Sequence, residues 1–192
     1  QNMTLDGRIE MLDDWFDPAD QDPELIQEMR RQTAREDVLL LGRRTFEDFR
    51  GYWPLQSHDT TGITEYLDRV QKYVVSSSMT DPEWRNSTIL AGEPLDEVRR
   101  LKSSEGGDIT LPGSITLAHA VLAAGLVDEI RLVVFPAVQG RGRGLVAEGT
   151  SFPRLELLEA RDLLFARLLQ YRAFKEVAAY LGERWGVNAR SY

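Results

Sequence analysis

Cysteine is absent from this chain, and histidine is scarce. Without cysteine there is no disulfide, no thiolate zinc site and no cysteine nucleophile. The two histidines, His58 and His119, lie far apart in the sequence. A histidine-based metal site would need carboxylate ligands in addition, so we expect no bound metal.

Clusters of positive charge and long apolar segments are also missing. The formal net charge is −8, and no dense block of lysine and arginine interrupts the acidic residues. Duplex nucleic acid and anionic membranes are therefore not expected as partners. No apolar stretch approaches the roughly 20 residues that cross a membrane. These absences favour a cytoplasmic protein.

The chain does contain enough apolar residues for one substantial core. It has 192 residues, of which 42% are hydrophobic, and this length suits a single domain. We place that domain at residues 1–174 and a helical C-terminal tail at 175–192. In the tail, Val177, Leu181 and Trp185 recur every four residues, so a helix would present them as one apolar stripe. Such a stripe must pack on its own domain or on a neighbour.

Apolar runs alternate with helical patterns along the sequence. The expected strands are 2–6, 37–42, 72–78, 88–90, 108–113 and 129–138. The expected helices are 23–36, 61–70, 94–102 and 114–125, with another that begins at 43 and with Ser114 as the cap of the last. Two further strands, near 154–160 and 163–174, would form a closing hairpin. This order predicts an α/β fold with a mixed, mostly parallel sheet and an antiparallel C-terminal hairpin.

Small and polar residues follow three of these strands. They form the segments Gly42-Arg43-Arg44-Thr45, Ser76-Ser77-Ser78 and Gly113-Ser114. In parallel sheets, ligands bind beyond the carboxyl ends of the strands, and helix N-termini there hold anions through free backbone N–H groups. Each segment alone is also explained by ordinary turn chemistry. Together, at successive strand ends, they favour a nucleotide site.

Several stretches occur in the order seen in dihydrofolate-reductase-like proteins. They are "TLDGRIEM", "DVLLLGRRTFE", "KYVVSSS", "ITLPGSITLAHAVLAAGLVDEIRLVVFPAVQGRG" and "LLQYRAF". The chain most resembles the family named for the C-terminal reductase domain of the bacterial bifunctional deaminase-reductase of riboflavin synthesis. That resemblance covers roughly residues 2–174. It implies a three-layer α/β/α dihydrofolate reductase fold, NADPH as cofactor, hydride transfer to a small substrate and, with the tail stripe, a homodimer.

The resemblance also implies which residues hold the cofactor. The positions that match its cofactor-binding motifs are Gly42, Arg43, Arg44, Thr45, Ser76, Ser77, Gly113, Ser114 and Leu117. Among them we expect Arg44 to carry most of the selectivity for the adenosine 2′-phosphate, with Arg43 as the alternative. Glu47 is also spaced to pair with either arginine on a helix. Pro112 stands where many relatives carry a second glycine, so the anion contact should fall on the amides of residues 113–115.

The substrate side is less defined by sequence. Asp6 follows the first strand, where a carboxylate can orient a substrate amine or hydroxyl, although an Asp-Gly turn explains it equally well. Trp15 and Trp53 can wall a flat substrate or serve as plain core. Arg141 and Arg143 in "QGRGRG" can reach anions, but a solvated glycine loop is the simpler interpretation. His119 lies inside a helical pattern and is expected to be structural.

Two functions therefore remain open from the sequence. The first is an NADPH-dependent reductase of a small heterocyclic or carbonyl compound, related to dihydrofolate reductase and to the riboflavin-pathway 5-amino-6-(5-phosphoribosylamino)uracil reductase. The second is a catalytically silent nucleotide-binding or interaction module on the same scaffold, because fold does not fix function. Both bind the cofactor, and only the first consumes it.

Overall fold

Helices and strands alternate in the computed structural model, which describes residues 1–16, 23–150 and 155–156. The helices are α1 (Pro23–Thr33), α2 (Arg43–Tyr52), α3 (Ile63–Arg69), α4 (Pro94–Lys102) and α5 (Ile115–Ala123), with a short 3₁₀ helix at Trp53–Leu55. The strands are β1 (Asn2–Thr4), β2 (Glu36–Gly42), β3 (Gln71–Val75), β4 (Ser87–Leu90), β5 (Asp108–Thr110) and β6 (Val133–Phe135). No helix in these ranges is long and apolar enough to span a bilayer.

The strands pair in parallel throughout the described residues. Four of them form one sheet in the order β4-β3-β2-β5, and β1 pairs separately with β6. In the larger sheet, β2 and β3 are in register from Val38 opposite Gln71 to Gly42 opposite Val75. Parallel neighbours need a crossover connection, which α2 and α3 supply between β2 and β3, whereas residues 76–86 connect β3 to β4 without a helix. The carboxyl ends of β3, β2 and β5 consequently lie side by side.

Helices cover both faces of the larger sheet. Because side chains alternate along a strand, Leu39 and Leu41 of β2 face one layer and Leu40 faces the other. The first layer is a cluster with Phe46 from α2 and residues of α3. The second is a cluster that includes Val98 from α4 and Leu117 and Val121 from α5, with Leu40 and Leu90. The predicted α/β architecture is confirmed, with one helical layer on each face.

Element boundaries depart from the expected ones where polar groups or proline intervene. The strand expected over 72–78 ends at Val75, because the Ser76 hydroxyl accepts the amides of Ser78 at 3.2 Å and Met79 at 3.0 Å and so turns the chain. The strand expected over 129–138 is confined to β6, and it is followed by Pro136, which has no amide hydrogen for a ladder. The closing hairpin and the tail at 175–192 lie outside the described residues, apart from positions 155 and 156.

One lysine lies inside the core. The side chain of Lys72 in β3 has no exposed surface, and its Nζ donates to the backbone carbonyls of Leu67 at 2.6 Å and Val70 at 3.0 Å. These carbonyls belong to the end of α3, where helix C=O groups lack intrahelical partners. The ammonium also lies 4.7 Å from the centroid of the Trp84 ring. Lys72 therefore ties α3 to the sheet from within.

Candidate cofactor site

Two helix starts meet beside the sheet, at the ends of β2 and β5. The Gly42 amide before α2 donates to the Ser114 hydroxyl at 2.9 Å, and the Ser114 amide before α5 donates to the Thr45 hydroxyl at 3.0 Å. We expected the Ser114 hydroxyl to cap α5. It accepts no bond from that helix and bonds to Gly42 instead, so it links the two helices. The sequence separation of about seventy residues hides this pairing from any local pattern.

The turn into α5 favours glycine at position 113. Gly113 has φ +59°, and a Cβ there would lie 3.2 Å from Cγ2 of Thr45. Ser114 also has a left-handed backbone, with φ 45° and ψ 47°. The left-handed residues Gly113 and Ser114 bring the start of α5 against Thr45 of α2. Glycine allows this close contact because it has no Cβ.

Free backbone donors begin two residues later than the sequence indicates. The Gly113 amide donates to the Gln1 side-chain oxygen at 2.9 Å, and the Ser114 amide is taken by Thr45. The first α5 amide that bonds back into the helix is that of Ala118, to the Ser114 carbonyl at 2.9 Å. Within the described residues, the N–H groups at 115–117 are thus the orphan donors of this helix. They, and not those at 113 and 114, are available to an anion.

The two arginines of α2 have different neighbours. Nη1 of Arg43 lies 3.1 Å from each carboxylate oxygen of Glu47, which is the i,i+4 pair that its spacing allows. Arg44 is exposed, and its positive charge contributes to lowering the pKa of Glu10. Both arginines occupy the first turn of α2, next to the α5 start, but Arg44 lies toward Glu10.

The serines after β3 and the leucine of α5 also fall at this edge. Ser76 is buried and its hydroxyl is used in the turn described above, whereas Ser77 is exposed. Because Val75 pairs with Gly42, these serines adjoin the α2 start. Leu117 is buried in the core cluster beneath α5, so its side chain holds the helix on the sheet. Only its backbone amide can contribute to the candidate site.

Asp6 belongs to a different junction, between the end of β1 and the loop after β6. Its carboxylate accepts the Thr4 hydroxyl at 2.7 Å, the Gly140 amide at 2.8 Å and the Gln139 amide at 3.1 Å. These hydrogen bonds, the Thr4 one first, lower the pKa of Asp6 to about 2. The Asp-Gly turn is formed as well, with the Gly7 amide on the Thr4 carbonyl at 2.9 Å. Asp6 is therefore an ionised carboxylate at neutral pH.

The two tryptophans considered for the substrate pocket occupy separate places. Trp15 donates from Nε1 to the Gln139 side-chain oxygen at 2.7 Å and packs on Phe135 with a centroid distance of 5.4 Å. Trp53 lies in the 3₁₀ helix and packs against the core cluster of α2 and α3. Trp15 is thus near the Asp6 junction, and Trp53 borders the core.

Gln139 organises the loop that carries Trp15, and sequence reasoning missed it. Its side-chain oxygen accepts the Leu12 amide at 3.2 Å as well as Trp15, while its side-chain nitrogen donates to the carbonyls of Glu10 at 3.0 Å and Arg141 at 2.7 Å. Every hydrogen-bonding group of the amide is used. A single glutamine at the start of a glycine-rich loop carries no motif, so only the fold could identify it.

The glycine loop 139–144 is tied down by its arginines. Arg141 pairs with Asp13 at 2.5 Å and Arg143 with Glu10 at 2.6 Å. His119 of α5 bonds to the Gly144 carbonyl at 2.9 Å through Nε2, which fits the structural role expected for it. In the described ranges, no three His, Asp or Glu side chains come together as metal ligands would.

Comparison with known families decides the affiliation. The model of the RibD C-terminal domain matches residues 1–164. The chain belongs to the RibD C-terminal domain family. This confirms the resemblance carried by "PGS", the helix after it and "LVDEIRLVVFPAVQGRG". A second model, that of the segregation and condensation protein ScpA, matches residues 147–192, which is less than half of the chain.

Relatives of this RibD C-terminal domain protein extend over most of its length. It is 31% identical over 163 residues to "Uncharacterized protein YyaP" of Bacillus subtilis (strain 168), covering 83% of this chain and 84% of that one. "Uncharacterized protein YwjB" of the same strain is 26% identical over 172 residues, covering 88% and 92%. A crystal structure from Shewanella sp. PV-4, described as a "Putative riboflavin biosynthesis protein", is 20% identical with a TM-score of 0.57, covering 78% and 82%. That likeness shows the fold.

Proposed function

We propose that this protein is an NADPH-dependent reductase that transfers a hydride to a small heterocyclic or carbonyl compound. The observation that carries the proposal is the pair of bonds that joins Gly42, Ser114 and Thr45. They bring the N-termini of α2 and α5 together at adjacent strand ends, where a dinucleotide binds in open α/β sheets. Membership of the RibD C-terminal domain family supports the same cofactor.

The residues at this edge fit the chemistry of NADPH. The left-handed turn at Gly113 lies close to Thr45, and a Cβ on residue 113 would crowd that contact. The α5 amides at 115–117 are donors at the positive end of a helix dipole. We assign these amides to the diphosphate. Arg44 lies on the side of Glu10 and α5 and is assigned to the same group, which leaves Arg43 and Ser77 for the adenosine 2′-phosphate.

On the substrate side, the chain supplies orientation. Bound NADPH supplies the hydride. Asp6 stays ionised because three hydrogen bonds stabilise its charged form, so it can accept a hydrogen bond from a substrate amine or hydroxyl but holds no proton to give at neutral pH. Trp15, fixed by Gln139, can flank a flat ring. The Shewanella structure is described as a riboflavin biosynthesis protein, so a ribosylamino-pyrimidine of riboflavin synthesis is the first substrate that we would test.

A fluorescence titration with NADPH and NADH tests the cofactor assignment. A charge-assisted phosphate contact contributes roughly 1.5–3 kcal/mol, so NADPH should bind at least about tenfold more tightly than NADH. Arg43→Ala should remove most of that preference and leave NADH binding nearly unchanged, whereas Arg44→Ala should weaken both. Arg99→Ala is the matched control, because Arg99 is an exposed arginine of α4 paired with Asp96.

The outcomes separate the possible assignments. Loss of the preference in Arg44→Ala and not in Arg43→Ala would restore the sequence-based choice of Arg44. Equal binding of the two cofactors by the unmodified protein would contradict the 2′-phosphate pocket, and no binding of either would contradict the reductase. Binding without oxidation of NADPH by dihydrofolate, the ribosylamino-pyrimidine or simple carbonyl compounds would favour the silent nucleotide-binding module.

A further inference from the structure

An arginine from outside the cofactor motifs lies against the first turn of α5. Nη1 of Arg143, in the loop after β6, is 3.3 Å from the hydroxyl oxygen of Thr116, the second residue of α5. Its Nη2 bonds to Oε1 of Glu10 at 2.6 Å, and its backbone amide donates to Oε2 of the same carboxylate at 3.0 Å. A carboxylate is therefore held beside the helix start by an arginine that also touches the helix.

Glu10 is embedded between positive groups. Its pKa is lowered first by hydrogen bonds from Arg143 and then by the charges of Arg143 and Arg44. The side chain of Glu10 keeps 27% of its surface exposed and that of Arg143 keeps 42%. An ion pair this accessible to water is held by little net energy, so a stronger anion can displace the carboxylate.

A dinucleotide diphosphate is such an anion. Its oxygens accept several charge-assisted bonds at once, and Arg143, Arg44, the Thr116 hydroxyl and the α5 amides all offer donors within this small region. We propose that Glu10 and the cofactor diphosphate compete for Arg143 and Arg44, so that Arg143 is a cofactor-affinity residue and Glu10 its internal competitor. This inference rests on the proposed function, because it requires the α5 start to receive the diphosphate.

The competition predicts a change in cofactor affinity that does not depend on the adenosine 2′-phosphate. NADPH and NADH share the diphosphate, so altering Glu10 or Arg143 should change the affinity for both by the same factor. Altering Arg43 should change only the ratio between them. This distinction separates the inference from the assignment of the 2′-phosphate pocket.

The experiment is cofactor fluorescence titration of Glu10→Gln, Arg143→Gln and the double variant, with NADPH and NADH. Glutamine at position 10 keeps an oxygen that can accept the Arg143 amide while removing the charge. Arg143→Gln should weaken both cofactors about tenfold. Glu10→Gln should tighten both about two- to fivefold, the range for releasing an exposed ion pair. In the Arg143→Gln background the gain from Glu10→Gln should shrink.

Arg141→Gln provides the matched control. Arg141 lies two residues away in the same loop, is exposed and pairs with Asp13, and should leave both affinities unchanged. Thermal unfolding of every variant verifies that the fold persists. If the unmodified protein binds the cofactors but Glu10→Gln binds them no more tightly, or Arg143→Gln no less tightly, the competition is overturned while the reductase proposal stands. If the unmodified protein binds neither cofactor, both proposals fail.

Discussion

The ammonium group of Lys72 has lost its water and gained two carbonyl oxygens and an aromatic face. Burial lowers the pKa of Lys72 to about 8 from 10.5, with Asp68 opposing that change and Arg85 adding to it. In the unfolded chain the amine holds its proton up to about pH 10.5, so between pH 8 and 10.5 the unfolded state binds more protons than the folded state. Stability should therefore rise with pH in this window and be lost again as pH falls through it.

We predict that Lys72→Met removes most of this rise. Between pH 7.5 and 9.5 the unmodified protein should gain roughly 1–2 kcal/mol of unfolding free energy from Lys72, at about 1.36 kcal/mol per unit of pKa shift. Urea unfolding at the two pH values measures the gain. Staying below pH 10 avoids the titration of Tyr66, because burial and the hydrogen bond to Glu36 raise the pKa of its hydroxyl. Lys102→Met, at an exposed lysine paired with Asp128, should keep the rise, and an unchanged slope in Lys72→Met would refute the assignment.

At the level of elements, the junction of α2 and α5 depends on how closely the two helix starts approach. Thr45 of α2 lies against the left-handed turn before α5, where a Cβ at position 113 would lie 3.2 Å from Cγ2 of Thr45, so that the threonine would have to shift. Gly125, just after the C-terminal end of α5, offers a comparison. It has φ +66°, and a Cβ added there would have no neighbouring atom within 4 Å. The two glycines share a backbone conformation but differ in their surroundings.

Replacing each of these glycines by alanine should separate strain from steric obstruction. Gly125→Ala should cost about 1–2 kcal/mol of stability, the penalty of a left-handed residue with a Cβ. Gly113→Ala should cost more, because its Cβ meets Thr45, and it alone should weaken NADPH binding. Chemical unfolding and cofactor titration measure both quantities. Equal stability losses with unchanged NADPH affinity would show that the approach of Thr45 is unimportant.

Sequence patterns predicted these elements better than the contacts between them. α4 was predicted at 94–102, where it is found, because Pro94 and the spacing of Leu95, Val98 and Leu101 are local signals. The bond between the Ser114 hydroxyl and the Gly42 amide was not predictable, since serine before a helix ordinarily caps that helix. Likewise nothing in "QGRGRG" indicates that Gln139 holds Trp15. Helix and strand signals lie within a few neighbouring residues, whereas contacts between distant residues depend on the topology of the sheet.

For the whole molecule, assembly remains a proposal from the sequence. The stripe of Val177, Leu181 and Trp185 belongs to the tail at 175–192, outside the described residues. An apolar stripe of that kind is stable only when it is covered. We propose that a second copy of the chain covers it.

Light scattering at micromolar concentration should give twice the mass of one chain. Leu181→Ser should shift the equilibrium toward the monomer, because it places a hydroxyl in the apolar stripe, whereas Glu183→Ser, off the stripe, should not. Deletion of residues 175–192 should have the larger effect. A full-length protein that is already monomeric, and unaffected by the deletion, would refute the dimer.

The bonds among Gly42, Ser114 and Thr45 also bear on the kinetics of ligand capture. Both helix starts are held in place by hydrogen bonds between the protein's own hydroxyl and amide groups. A site arranged in advance avoids the entropic cost of immobilising its donors when the ligand arrives. Association of the proposed dinucleotide should then be limited by encounter and orientation, and single substitutions in this region should change its affinity mainly through its residence time.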